Sequence, residues 1–230
     1  MKEIIITSGG TEEYIDDVRV LTNISSGKLG SRIAEVLSVR TDLKIHFVRS
    51  RRSHLPEVNT DNIMTHDVRT ATDAFKKIEY LMCHNKIDAV IHSMAVSDFT
   101  FRRDKPVKLK SNDPESFIDY MRETITPNPK IISFIKKWNP NTFLIGFKFE
   151  VGISTAALVK LACSSIIKND CDLVVANDKK EMEQAKSHVG HFIFSQETID
   201  KYHFEDFDAV DKETIAQELG RIIRVVLELR

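Results

Sequence analysis

Four of the chain's eight glycines crowd into one stretch, TSGGTEEYIDDVRVLTNISSGKLG at residues 7–30: Gly9, Gly10, Gly27 and Gly30. Glycines between a strand and a helix let backbone amides approach phosphate oxygens, and a helix N-terminus adds unpaired N–H groups and a positive dipole end. The stretch is not a Walker loop, since G-x-x-x-x-G-K-S/T is absent, and no G-x-G-x-x-G follows the strand directly. It offers two backbone cradles instead, at Gly9-Gly10 and from Ser25 to Gly30. The spacing favours phosphate binding; the alternative is a turn followed by a helix capped by Ser25 or Ser26. Polar residues also stand where apolar runs end, notably Asp98 and Asn177. On residue type alone, Asn23 reads as a turn residue that accepts a left-handed backbone. Arg19 reads as solvated charge, and Lys108 as one of a loop cluster with Arg102, Arg103 and Lys105. Phe147 reads as core.

The elements that must position these residues alternate. KEIIIT (2–7) reads as a buried strand. KLGSRIAEVLSVR, from Lys28, carries Leu29, Ile33, Val36 and Leu37 at helical spacing. LKIHFV (43–48) is a second strand and NIMTHDV (62–68) a candidate third. ATDAFKKIEYLMC (71–83) is an amphipathic helix, DAVIHSMAV (88–96) an apolar strand. PKIISFIKKW (129–138) is a helix with Pro129 in its first turn. Then come a strand at 142–149, a helix at 155–169, strands at 171–177 and 191–195, and a terminal helix at 212–229. This alternation predicts an α/β fold: a Rossmann-like, doubly wound, mostly parallel sheet with helices on both faces. We read residues 1–230 as one domain with an irregular basic segment near 97–127, and assign no role to 179–210.

Composition sets limits on partners. With 33 Lys and Arg against 34 Asp and Glu, the net charge of −1 provides no bulk attraction to nucleic acid or membrane. No apolar run approaches the ~20 residues of a spanning helix. The first residues enter a strand pattern without the features of a signal peptide. Three cysteines without metal spacing read as reduced core thiols. The expectation is a soluble, cytoplasmic protein.

Further motifs follow the opening stretch in order: SMAVSDF (93–99), KLK (108–110), PNP (127–129), GFKFE (146–150) and DLVVAND (172–178). Together with T-S-G-G-T, V-R and N-x-S-S-G, this series resembles the phosphopantothenoylcysteine synthetase (phosphopantothenate–cysteine ligase) family of coenzyme A biosynthesis. The resemblance runs from residue 4 to about 178. It is to the stand-alone bacterial type, without the flavin-dependent decarboxylase that bifunctional members add. It implies that the carboxylate of 4′-phosphopantothenate attacks the α-phosphate of a nucleoside triphosphate, with Mg²⁺ present, and releases diphosphate. The amine of L-cysteine then attacks the acyl nucleotide. The resemblance gives Asn23 and Arg19 roles in the second step and Lys108 a role in the first. It places Gly9, Gly10, Ser25, Gly27, Gly30, Ala95, Asp98, Pro129, Phe147, Lys168 and Asn177 around the nucleotide, with Asp98 near the metal. It further implies a homodimer.

Departures from the family pattern bear on the nucleotide. Ser164 stands about where a second lysine, one helical turn from Lys168, is expected, and GFKFE leans toward ATP-using members. The motif matches as a whole favour CTP, with ATP as the alternative. Two other functions compete. An NADPH-dependent Rossmann oxidoreductase fits the basic end of strand two, FVRSRR, but lacks the first glycine fingerprint. A non-catalytic nucleotide-binding module explains the glycines but not Asn23, Lys108 and Asp98 together.

Overall fold

A computed structural model describes residues 1–103, 108–110 and 112–229. In chain order it comprises β1 (Lys2–Ser8), β2 (Glu12–Tyr14), β3 (Val20–Thr22), α1 (Lys28–Ser38), β4 (Leu43–Ser50) and β5 (Ile63–Val68). It continues with α2 (Ala71–His84), β6 (Ile87–His92), β7 (Phe99–Phe101), α3 (Pro114–Thr124), β8 (Ile125–Pro127), α4 (Ile132–Trp138) and β9 (Phe143–Glu150). It ends with α5 (Thr155–Asn169), β10 (Leu173–Asp178), α6 (Lys179–Ala185), β11 (Gly190–Phe194), α7 (Gln196–Tyr202), β12 (Phe207–Ala209) and α8 (Lys212–Val226).

The main sheet runs β12-β11-β10-β9-β6-β1-β4-β5. From β10 to β5 every neighbouring pair is parallel; β11 is antiparallel to both its neighbours. Ile4, Ile5 and Ile6 of central β1 are wholly buried because helices cover both faces. On one face, Ile33 and Leu37 of α1 pack with Leu219 and Ile223 of α8. On the other, Ile78 of α2, Ile135 of α4 and Leu158 of α5 close a second core. The doubly wound architecture expected from the alternating pattern is borne out. Residues 179–210 extend the sheet with β11 and β12.

The structure corrects several local expectations. The apolar strand ends at His92, not at residue 96: Met94 is buried in a loop. Within 97–127 the described residues form β7, which pairs with β8, and α3, which Asp113 caps and Pro114 opens. Asp104, Lys105, Pro106, Val107 and Ser111 lie outside the described residues; of the expected basic cluster, Arg102 instead donates to the Glu123 carbonyl (2.9 Å) and Arg103 pairs with Asp17. Helix α4 starts after Pro129, because Asn128 is tied back to the β6–β7 loop by its N–H to the Asp98 carbonyl (2.8 Å). The terminal helix closes at Val226, three residues before the expected end. The three cysteines are unpaired, but Cys83 and Cys163 are exposed on the outer faces of α2 and α5. Only Cys171 is a core thiol, and burial pushes its pKa up to about 12. No helix among the described residues is long and apolar enough to cross a membrane.

Buried and half-buried histidines give the fold two opposed pH dependences. His66, His92 and His188 are held near pKa 4, chiefly by burial, so they are neutral in the fold and must charge in acid. Their contribution is present above pH 6.5 and is lost as pH falls toward 4. His191 is the reverse case. Burial opposes its charge, but the carboxylates of Glu181 (2.9 Å) and Asp208 (2.6 Å) outweigh it and raise its pKa above 6.5. Its contribution is complete below pH 6.5 and is lost as pH rises through the raised value. Urea midpoints of the wild type should therefore fall more steeply above pH 6.5 than those of His191→Gln; equal slopes would contradict this assignment.

Candidate active site

In this strand order the chain moves outward from β1 to β5, then returns to lay β6 on the other side of β1. Such a reversal opens a crevice beyond the carboxyl ends of the two strands. Two loops leave the sheet there and are joined by a short parallel ladder. Ala95 donates its N–H to the Gly9 carbonyl (2.8 Å) and accepts from Thr11 N–H (3.2 Å). The hydroxyl of Thr7 accepts from Met94 N–H (3.0 Å), and that of Thr11 accepts from Ser97 N–H (2.9 Å).

The glycines are needed for close protein packing at this junction. Gly9 has φ 84°, and a Cβ there would lie 2.2 Å from Ser50 Oγ and 2.6 Å from Ser53 Cβ. Gly27 has φ 73°, with Ser53 Cβ 2.5 Å from a hypothetical Cβ. Gly10 and Gly30 lie against the Asn23 carbonyl and the Ser8 side chain. The side chains the glycines lack thus leave room for a serine cluster.

The N-cap of helix α1 is Gly27, and neither Ser25 nor Ser26 caps it, contrary to the capping alternative. Ser25 N–H turns back to the Asn23 carbonyl (2.9 Å), and the Ser26 carbonyl accepts His54 N–H (3.0 Å). The first turn of α1 therefore keeps its N–H groups and the positive dipole end without a side-chain cap, beside Ser8 and Ser93. That is the chemistry of an anion site.

A cavity of about 400 Å³ opens beside this junction. Of the residues the sequence singled out, Asp98, Pro129, Phe147 and Lys168 line it, as does Ser164 one turn before Lys168 on α5. Met94 and Val96, which flank Ala95, line it too. His92, Lys130 and Lys148 join them, and none of these three was expected. A histidine closing an apolar strand was the available signal for His92. Asp98 is the cavity's one carboxylate against three lysines, so the walls favour a polyanion. Lys130 is ion-paired with Asp98, and Lys148 with Glu150 (2.8 Å). Both partners of the Lys130 pair are mostly exposed, so it contributes little to stability.

The remaining candidates lie outside this cavity. Asn23 bridges toward it: its Nδ2 donates to the carbonyls of Ala95 (3.4 Å) and Val96 (3.2 Å). Arg19 bonds through its guanidinium to the Asp16 carboxylate and to the Leu109 carbonyl (3.3 Å), beside Lys108. Asn177 sits at the same carboxyl edge but three strands from β1, about 14 Å at normal strand spacing. Its buried amide donates to the Val189 carbonyl and fixes the turn into β11. Asp16 was missed in the sequence. It is fully buried, a burden that would raise its pKa, yet the N–H groups of Val18, Leu109 and Arg19 and the Arg19 guanidinium hold it below the usual carboxylate range.

As to a metal, no cluster of three or more His, Cys, Asp or Glu side chains suited to one occurs among the described residues. Magnesium is commonly bound by one or two carboxylates together with substrate phosphates. Asp98 meets only the carboxylate part of that requirement, and its carboxylate is ion-paired with Lys130.

Comparisons with known proteins bear on the family and the fold. A bifunctional coenzyme A biosynthesis protein, CoaBC, of Thermococcus kodakarensis is 36% identical over 188 residues, 82% of this chain and 44% of its own length. The CoaBC protein of Methanocaldococcus jannaschii is 27% identical over 223 residues, 97% of this chain and 51% of its own. The chain thus spans about half the length of the curated relatives it matches. The crystal structure of the DNA/pantothenate metabolism flavoprotein from Streptococcus pneumoniae superposes with a TM-score of 0.79 at 30% identity, covering 97% of this chain and 98% of that one. The profile of the DNA/pantothenate metabolism flavoprotein C-terminal domain matches residues 1–226, and the chain belongs to that family.

Proposed function

We propose that this chain is a phosphopantothenate–cysteine ligase that joins 4′-phosphopantothenate to L-cysteine through an acyl nucleotide, with CTP as the activating nucleotide and ATP as the alternative. The observation that carries the reading is the convergence of the separate motifs on one sheet edge. The loops after β1 and β6 are laddered together there, PNP is tied to the β6–β7 loop, and GFKFE and α5 complete the cavity. Kinship with CoaBC proteins supports the same reading.

Nearly every reactant is anionic, so neutralising charge that grows in the transition state is the main task of the site. The uncapped α1 turn and the lysines at the cavity suit the triphosphate. Magnesium, held by Asp98 and the phosphates, would draw charge from the same group. Lys108 neutralises the departing diphosphate. Asn23 exchanges its long bond to the Ala95 carbonyl (3.4 Å) for the acyl oxygen as cysteine attacks, and Arg19 supports that step. His92 is neutral at pH 7 because burial holds its pKa near 4, so it can bond to the nucleotide without adding charge. Exposed Val18, Leu21 and Ile24 flank Arg19 and Asn23, which supports a homodimer built around the β2–β3 hairpin. The NADPH reading gains nothing here: the Arg49 guanidinium at the end of β4 is bonded to the carbonyls of Ser50 (3.2 Å) and Arg51 (2.5 Å).

The test is to incubate the protein with phosphopantothenate, cysteine, Mg²⁺ and each of CTP, ATP, GTP and UTP. Phosphopantothenoylcysteine, nucleoside monophosphate and diphosphate should appear in equal amounts, fastest with CTP. Failure with all four would overturn the ligase reading; faster turnover with ATP would overturn only the nucleotide.

A further inference from the structure

Asp16 has no solvent exposure, although Asp17 and Val18 beside it are exposed. Its two oxygens serve different ends. Oδ1 accepts the N–H groups of Val18 (2.9 Å) and Arg19 (2.7 Å), which closes the turn of the β2–β3 hairpin. Oδ2 accepts the guanidinium of Arg19 and, from far along the chain, the N–H of Leu109 (3.1 Å). The circuit closes when Arg19 Nη1 donates to the Leu109 carbonyl (3.3 Å). A turn needs only the first pair of bonds; the second pair fastens Leu109, and Leu109 stands between Lys108 and Lys110. The neighbouring carboxylates hold other segments: Glu13 binds Ala71 N–H (2.6 Å) and the Thr100 hydroxyl (2.8 Å), and Asp17 binds Arg103.

We propose that Asp16 is a positioning residue, a buried clamp that holds the Arg19 guanidinium and the Lys108–Lys110 segment against each other, so that the cation used at the departing diphosphate and the one used when cysteine attacks face the same reacting group. The proposal rests on the ligase reading for what the cations serve, and on geometry alone for the clamp. The carboxylate is essential because Oδ2 meets donors only. An asparagine would keep an oxygen for one side of the turn but turn an N–H₂ toward donors on the other.

The test uses the full chain with Asp16→Asn, with Asp17→Asn as control and with Leu109→Pro, which removes the same bond from its donor end. Loss of a hydrogen bond to a charged partner predicts a drop of about tenfold to a hundredfold in single-turnover diphosphate release for Asp16→Asn and Leu109→Pro. Nucleotide affinity should stay near that of the wild type, and each variant should still unfold in one cooperative transition. Under native conditions, trypsin should cut after Lys108 about tenfold faster in Asp16→Asn, because the opening equilibrium of the segment shifts by a similar factor. Asp17→Asn should change neither readout. Unchanged cleavage in a folded Asp16→Asn protein, or equal losses in Asp17→Asn, would overturn the clamp. Should Asp16→Asn not fold, an unaltered release rate in Leu109→Pro would overturn it. If the wild type releases no diphosphate with any nucleotide, the ligase reading fails, and the trypsin comparison alone decides the clamp.

Discussion

Asn23→Asp is expected to consume one nucleotide per site and then stop with the phosphopantothenoyl nucleotide bound. The Asn23 amide donates to two carbonyls at the β1–β6 junction, at 3.4 and 3.2 Å, and its side chain reaches solvent. A carboxylate there would face those carbonyl oxygens and repel the negative charge that develops on the acyl oxygen once cysteine attacks. Loss of one such transition-state contact costs about 2.7–4 kcal/mol, roughly a hundredfold to a thousandfold in rate. Charge on the triphosphate grows earlier, so Lys108→Gln should instead suppress diphosphate release and leave no intermediate. Mass spectrometry of quenched single-turnover mixtures separates the two outcomes. Arrest of both variants at the same point would contradict this division of labour.

Gly9→Ala should strongly destabilise the protein, as should Gly27→Ala, whose Cβ would lie 2.5 Å from the same Ser53 Cβ at a φ of 73°. Gly9 must keep a left-handed φ of 84°, and its new methyl would lie 2.6 Å from the Ser53 Cβ, which no rotamer change can move. Backbone strain of about 1–3 kcal/mol adds to overpacking of about 1–3 kcal/mol. The total, about 2–6 kcal/mol, is a large part of a typical domain stability of roughly 5–15 kcal/mol. Gly152 is the internal control. Its φ is 73°, but nothing lies within 4 Å of a Cβ there, so Gly152→Ala should cost only the strain of about 1–2 kcal/mol. Urea unfolding of the two variants tests this; equal losses would show that close packing at Gly9 carries no weight.

The parts of this fold legible in the sequence are those whose burial follows from local pattern. β1 and β10 are covered on both faces and read as unbroken apolar runs, while α1 and α8 each turn one stripe inward. The missed elements bury little: α3 has no buried residue, so its helical period carries little contrast. The β2–β3 and β7–β8 pairs are three residues long, and Glu12 and Glu13 of β2 are buried carboxylates, an inversion of the usual pattern. The overrun past His92 has a related cause, since Met94 is buried by the loop ladder rather than by a strand.

At the site, residue type and order revealed which segments matter, but not which atoms are already engaged. Asn177 looked free at a strand end, yet its amide is used within the fold. Lys130 looked like part of a helix start, yet it reaches Asp98 across 32 positions. Asp16 is the clearest case, because its partner Leu109 lies 93 residues away and only the folded chain brings them together. Tertiary hydrogen bonds of this range leave no periodic signal.

The central claim is that the β1–β6 junction and its cavity activate a carboxylate on a nucleotide before cysteine takes part. Exchange of labelled diphosphate into the nucleoside triphosphate measures that step alone. The account predicts exchange that requires phosphopantothenate, proceeds without cysteine and is lost in Lys108→Gln but retained in Asn23→Asp. Absence of exchange in a protein that makes phosphopantothenoylcysteine, or exchange that needs cysteine, would contradict it.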